Sequence, residues 1–261
     1  MNIEQYSNYL VGEEKTNWEN KDYDRCTYVW EHLYIPCYPT MEFWEKTEFK
    51  NNISRGKNIG QHKGYIKYIG NNFEVFISGD ASFNFKGKYY NYYHKLIDKD
   101  YSGKARRKYL ENLNNCKSMV YSLHNFAIMP QTGGMNKCKG ACNDRLDKFL
   151  FLLDEYYKDP NRSVDNPIFS LAQGGWKGDS EHIREEKKTL QKNRLKHFLD
   201  PIGSVYKYCE YFYLINDKDF IDCLIENGKT TIDSGCAVVA YMKLAEDFWR
   251  IRHEIINKLI I

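Results

Sequence analysis

No apolar run in this chain is long enough to cross a bilayer. The longest, Phe149 to Leu153 and Cys236 to Tyr241, fall far short of the roughly 20 residues a spanning helix needs, so no membrane partner is expected. The first residues, MNIEQYSNYLVGEEKTNWENKDYDR, put acidic and amide side chains where a secretory signal requires an apolar core, and a cytoplasmic location is expected. Charge bias is also small. Lys plus Arg number 38 and Asp plus Glu 35, a surplus of +3, which excludes a wholesale polycation and leaves room only for a local basic patch. The eight cysteines are scattered and follow no export signal, so they read as reduced thiols, several of them buried as small hydrophobes. Cys138 and Cys142 have the spacing of half a zinc knuckle, yet no second pair follows, and Cys116 and His124 would have to complete the site from a distance. Around His182 the order HIREE lacks the second histidine of a zinc-protease helix, leaving a solvated charged helix. There is no internal repeat.

What the chain does have is aromatic bulk: 22 Tyr, 14 Phe and 5 Trp in 261 residues, with 42% hydrophobic and 28% charged residues. That suffices for a packed core and excludes a disordered chain, a collagen-like repeat and a disulfide-stapled miniprotein. Alternating apolar stretches around Gly70-Asn71-Asn72 predict a β-hairpin, with Tyr65 to Ile69 pairing with Phe73 to Ser78. Lys104 to Asn114 favours a basic helix, and Met119 to Met129 reads as a buried strand. Pro130 to Asn143 is a loop, and Asp144 to Tyr157 a helix with Leu146, Phe149, Leu150 and Leu153 on one face and Asn143 as its N-cap. Residues 158–179 form a polar link. Beyond it, Ser180 to Leu199, Asp217 to Asn227 (with Gly228 just past its end) and Ala237 to Leu259 read as helices. The expected class is α+β: a mixed region 1–157, a link 158–179 and a mostly α-helical region 180–261, all sharing one core.

The densest chemistry lies in residues 122–157, a strand, a glycine-containing loop and a helix. His124 stands on an apolar stretch as a candidate general base. Gly133 and Gly134 let backbone approach a ligand closely, Lys137 and Lys139 offer cations, and Asn136 would hold the loop. Asp144 and Asp147 open the helix; they would repel a phosphate unless a cation intervenes, and could instead hold Mg²⁺ or orient Arg145 and Lys148. The plainer alternative stays open for each: a hydrogen-bonded core histidine, turn glycines, and aspartates that favour the helix dipole.

Through Met129-Pro130, Gly133-Gly134-Met135-Asn136, Lys139-Gly140, Asp144-Arg145-Leu146-Asp147 and Tyr156-Tyr157, the chain resembles an uncharacterised bacterial family, a domain of unknown function. Asp200-Pro201 and the aromatic run from Tyr206 to Tyr213 fit the helical tail of such proteins. The resemblance implies a class and no chemistry. Asn125, Pro130 and Asn136 also resemble the outline of His-Asn-His nuclease modules of bacterial defence proteins. The upstream acid-histidine pair of that outline is missing; the only histidine between residues 85 and 118 is His94, with Asp98 after it. Finally, residues 86–109 interleave Tyr with Lys and Arg, a pattern suited to single-stranded nucleic acid, whose bases stack on rings while cations meet phosphate. The leading expectation is therefore a bacterial or phage accessory or defence-type protein acting on nucleic acid or nucleotides, in the form of a diverged metal-dependent nuclease. The rival is a non-catalytic module that docks a protein through its aromatic surface or senses a ligand with its glycine-rich loop.

Overall fold

The computed structural model describes residues 66–70, 73–120, 122, 124–130, 142–171 and 179–260. Helices dominate them. In chain order the elements are β1 (Ile66–Gly70), β2 (Phe73–Ala81), α1 (Gly87–Asp100), α2 (Gly103–Met119), β3 (Phe126–Pro130), α3 (Leu146–Lys158), α4 (Glu181–Leu199), α5 (Val205–Tyr208), α6 (Lys218–Gly228) and α7 (Gly235–Ile260). A 3-10 turn at Pro167–Leu171 precedes α4, and a π-helical turn at Cys209–Tyr213 continues α5. The strands form a three-stranded antiparallel sheet in the order β1-β2-β3, with Tyr68 opposite Val75 and Asp80 opposite Ala127.

The helices form where apolar side chains recur at helical spacing. Along α7, Val238, Tyr241, Met242, Ala245, Phe248 and Trp249 are buried at three- and four-residue steps. Helix α7 packs against α1, which contributes Tyr93, Leu96 and Ile97, and against α2, which contributes Leu113 and Cys116. At the start of α7, Gly235 lies so near α1 that a Cβ there would sit 2.8 Å from the Tyr101 ring, and its N–H donates to Asp100 Oδ2 at 2.6 Å. Ser180 and Asp217 cap α4 and α6 by accepting from the N–H groups of Ile183 and Phe220. A single cluster of buried side chains runs from Ala81 to Trp249, so the mixed part and the helical part share one core.

Four sequence expectations change. The apolar stretch from Met119 to Met129 is not one strand. Helix α2 continues to Met119, residues around Ser122 and Asn125 turn, and β3 starts only at Phe126. Asn143 does not cap α3: Asn143 and Asp144 take left-handed backbone angles (φ 46° and 58°), and α3 starts after Arg145. Gly228 is the last residue of α6 and not a left-handed stop. A Cβ there would overlap the carbonyl oxygen of Asp147 and meet Phe151 Cβ at 2.8 Å, so glycine is needed for close approach of α6 to α3. The described part of the expected link, 158–171, joins the core, because Ile168 and Phe169 are fully buried and Phe169 stands edge-on to Tyr156 at 5.3 Å. The tyrosine pair ending α3 ties it to the end of α4: Tyr156 donates to Asp200 at 2.6 Å and Tyr157 to the Leu199 carbonyl at 2.9 Å.

Candidate functional site

Asn125 sits at the centre of the turn before β3 with no exposed surface. Its Oδ1 accepts from the Phe83 N–H and from Trp249 Nε1–H, each at 2.9 Å. Its amide donates to the carbonyls of Phe83 at 2.8 Å and Val120 at 2.7 Å. The side chain thus acts as a surrogate peptide group, extending the β2–β3 pairing beyond Ala81 and fastening both to α7. Every polar position of the amide is used by the fold. Its neighbour His124 is buried as well, and its Nε2 lies 3.0 Å from Nδ1 of His253 on α7. Burial, then the charges of His253 and Arg252, push the His124 imidazole down to about 4, so it is neutral at neutral pH. Arg252, fully buried beside it, donates to the Phe126 carbonyl at 2.8 Å.

Asp144 and Asp147 belong to a different junction. Asp144 accepts from Asn84 Nδ2, which holds the left-handed turn against the end of β2. Asp147 is fully buried and receives Arg145 through both carboxylate oxygens, Nε to Oδ1 at 3.1 Å and Nη2 to Oδ2, while Asn227 Nδ2 donates to Oδ2 as well. Arg145 also reaches the carbonyls of Thr230 at 2.8 Å and Asn227 at 3.2 Å, and its guanidinium lies 5.5 Å from the Tyr241 ring centre. The sequence Asp144-Arg145-Leu146-Asp147 is therefore the joint at which the β2 exit, α3 and α6 meet. His124, Asp144 and Asp147 each have a separate set of partners. With both Asp147 oxygens taken by Arg145 and Asn227, this carboxylate does not fit the Mg²⁺-ligand role. Among the described residues no three His, Cys, Asp or Glu side chains are grouped as metal ligands. Cys142 is buried, and burial pushes the Cys116 thiol up to about 12. Asn136, Gly133, Gly134, Lys137, Lys139 and Cys138 lie outside the described residues.

Arg145 has a second face. It lines a cleft of about 480 Å³ together with Asn143 and Lys148 from the start of α3, Lys88, Tyr89, Tyr92 and Tyr93 from α1, and Thr231, Ile232 and Asp233 from the α6–α7 loop. Tyr92 closes one wall by donating to the Ile232 carbonyl at 2.8 Å, and Lys88 Nζ stands 5.0 Å from the Tyr89 ring centre. Burial, opposed by the charge of Arg145, raises the Tyr93 phenol well above its ordinary range, so it stays protonated. Of these residues Arg145 was marked by its motif, and Lys88, Tyr89 and Tyr92 by the basic-aromatic pattern. Nothing in the sequence marks Thr231 or Asp233.

Helices α1 and α2 form an antiparallel hairpin whose outer surface is basic. Lys95, Lys99, Lys104, Arg107, Lys108 and Lys117 are exposed, and Lys117 Nζ lies 4.6 Å from the Tyr90 ring centre. Asp98 is already engaged, with Arg106 at 2.7 Å and His94 at 3.1 Å. No family model, curated protein or solved structure matches the chain.

Proposed function

We propose that the protein binds single-stranded nucleic acid along the α1–α2 hairpin. One observation carries this: residues 86–119 contain nine Lys or Arg against three Asp or Glu, a surplus of six in a chain whose total surplus is only +3. The remainder of the sequence sums to a net negative charge, although α4 adds a smaller surplus of its own, six Lys or Arg against three Glu. Lys95, Lys99, Lys104, Arg107 and Lys108 have no acidic partner among the described residues, which leaves them available to phosphate. Tyr90 and Tyr109 are half-exposed between them, and a ring beside a cation is the pair of groups that single strands meet best. The docking alternative has weaker support, because among the described residues the large apolar side chains left exposed are Tyr92 on α1, whose hydroxyl is tied to Ile232, and the pair Ile183 and Leu190 on α4, too few for a broad apolar patch. The partners of His124, Asp144 and Asp147 favour binding over metal-assisted cleavage.

The test is fluorescence anisotropy with labelled single-stranded and duplex oligonucleotides over a salt series. Single strands should bind more tightly, with affinity falling as salt rises. The triple variant Lys104→Ala, Arg107→Ala, Lys108→Ala should weaken binding and reduce the log–log salt slope by about 2, at roughly 0.7 for each phosphate no longer neutralised. Binding indifferent to that variant would remove the hairpin from consideration. Parallel reactions in Mg²⁺ and in EDTA test the nuclease reading: metal-dependent cleavage abolished by His124→Gln would restore it.

A further inference from the structure

We propose that the cleft between α1, α3 and the α6–α7 loop binds a nucleoside monophosphate unit, either free or as the phosphorylated end of a strand. Only its strand-end form rests on the strand-binding reading, since apart from Lys88 the cleft uses none of the cations that carry the hairpin reading. Its size, about 480 Å³, falls within the roughly 300–1,000 Å³ of small-molecule sites. Its three walls differ in chemistry, and each suits one part of a nucleotide.

The α3 wall is the phosphate side. Of the five N–H donors of Arg145, four are engaged by Asp147, Thr230 and Asn227, leaving one Nη1 hydrogen unclaimed on a guanidinium that the other four hold rigid. A buried arginine fixed in this way offers a directed donor with no ordering cost on binding. Lys148, half-buried three residues along, has no acidic partner among the described residues, and Lys88 adds a third cation from across the cleft. Asp147 lies behind Arg145 and neutralises it, so Lys88 and Lys148 supply the net positive charge against Asp233. The α1 wall is the ring side. Tyr89 and Tyr92 present aromatic surface, and the hydrogen bond from Tyr92 to Ile232 fixes its ring. The loop wall is the hydroxyl side, where the Asp233 carboxylate, already accepting from Thr231 Oγ1 at 3.2 Å, has acceptor capacity left for sugar hydroxyls. Inorganic phosphate would leave the tyrosines unused, and a neutral aromatic compound would leave the cations unused.

Isothermal titration of the whole chain with AMP, dAMP, adenosine and inorganic phosphate tests this directly. AMP should bind at least tenfold more tightly than adenosine or phosphate. Lys148→Ala, at a half-exposed position that the fold does not depend on, should weaken AMP about tenfold and leave adenosine unchanged. Asp233→Asn should narrow the difference between AMP and dAMP. Oligonucleotides with a 5′-phosphate, a 3′-phosphate or only hydroxyl ends separate the two sources: a preference for one phosphorylated end assigns the cleft to a strand terminus, and AMP binding without an end preference assigns it to a free nucleotide. If neither AMP nor a terminal phosphate binds through Lys148, the inference is wrong. Strand binding that survives in that case, and still responds to the α2 triple variant, keeps the hairpin reading intact. AMP binding by a protein that ignores unphosphorylated strands does the reverse.

Discussion

Below pH 6.5 the fold should lose stability through one side chain, His124. In an unfolded chain this imidazole titrates near 6.5, whereas burial beside His253 and Arg252 brings it to about 4 in the folded protein. The unfolded state therefore takes up a proton first as pH falls, and the stability contributed by neutral His124 is present above pH 6.5 and lost between there and about 4. The full displacement is worth about 3 kcal/mol, and of this roughly 2 kcal/mol is lost between pH 7.5 and pH 5, above the range in which carboxylates take up most of their protons. Urea denaturation at both pH values, for the wild type and for His124→Gln, isolates the effect. Gln keeps a polar group near His253 but cannot titrate, while His253 and Arg252 remain in both proteins. The wild type should lose roughly 2 kcal/mol more than the variant on acidification. Equal losses would refute the reasoning, because they would mean that the imidazole is hydrated or already charged in the folded state.

Three substitutions test the joints around it. Asn125→Ala leaves the Phe83 N–H and carbonyl, the Val120 carbonyl and the Trp249 indole without their partner, at about 1–3 kcal/mol for each buried group. A loss above about 4 kcal/mol in chemical denaturation is expected, and a loss below about 1 would show that water replaces the amide. Asp147→Asn keeps the shape but leaves Arg145 buried without its counter-charge, which should cost about 3–5 kcal/mol. An unchanged melting temperature in that variant would return Asp147 to a purely functional role. Gly228→Ala should destabilise by about 1–3 kcal/mol through overlap with α3, although alanine favours the helix by about 1 kcal/mol; a rise in melting temperature would show that α6 can step back from Asp147.

Helices α4 and α6 were legible in outline, α6 through Gly228 at its end, whereas the caps at Ser180 and Asp217 are seen in the structure alone. Helix α7 was legible from its spacing of apolar residues. Helix α1 was not, since tyrosine fills both its faces: Tyr93 is buried, whereas Tyr92 is exposed and tied to Ile232. The strand expected from Met119 to Met129 failed for a related reason. Its apolar letters include the end of α2, a turn and the start of β3, and the turn is held in part by partners of Asn125 far along the chain, Phe83 at 42 residues and Trp249 at 124. At the site, Lys88, Tyr89 and Arg145 carry signals in their neighbours along the chain, while Asp233 reaches the cleft only because α6 packs on α3. His124, Asp144 and Asp147 show the limit of composition at a motif: their pairings with His253, Asn84 and Arg145 carry no signal that the residue types alone would reveal.

The α1–α2 hairpin carries six positive charges in excess on 34 residues, while the rest of the sequence sums to three negative, so the hairpin presents a strongly positive face. A polyanion at a distance comparable to the Debye length, about 8 Å at physiological salt, exerts a torque before any contact forms, so molecules arrive hairpin-first and fewer encounters are wasted. The same asymmetry acts between copies. Two hairpins repel, but a hairpin attracts acidic side chains on a neighbour, and association in dilute buffer depends on orientation. Scattering should show a second virial coefficient that is negative at low salt and rises as salt is added, and a nucleic-acid strand should reverse the effect by covering the positive pole.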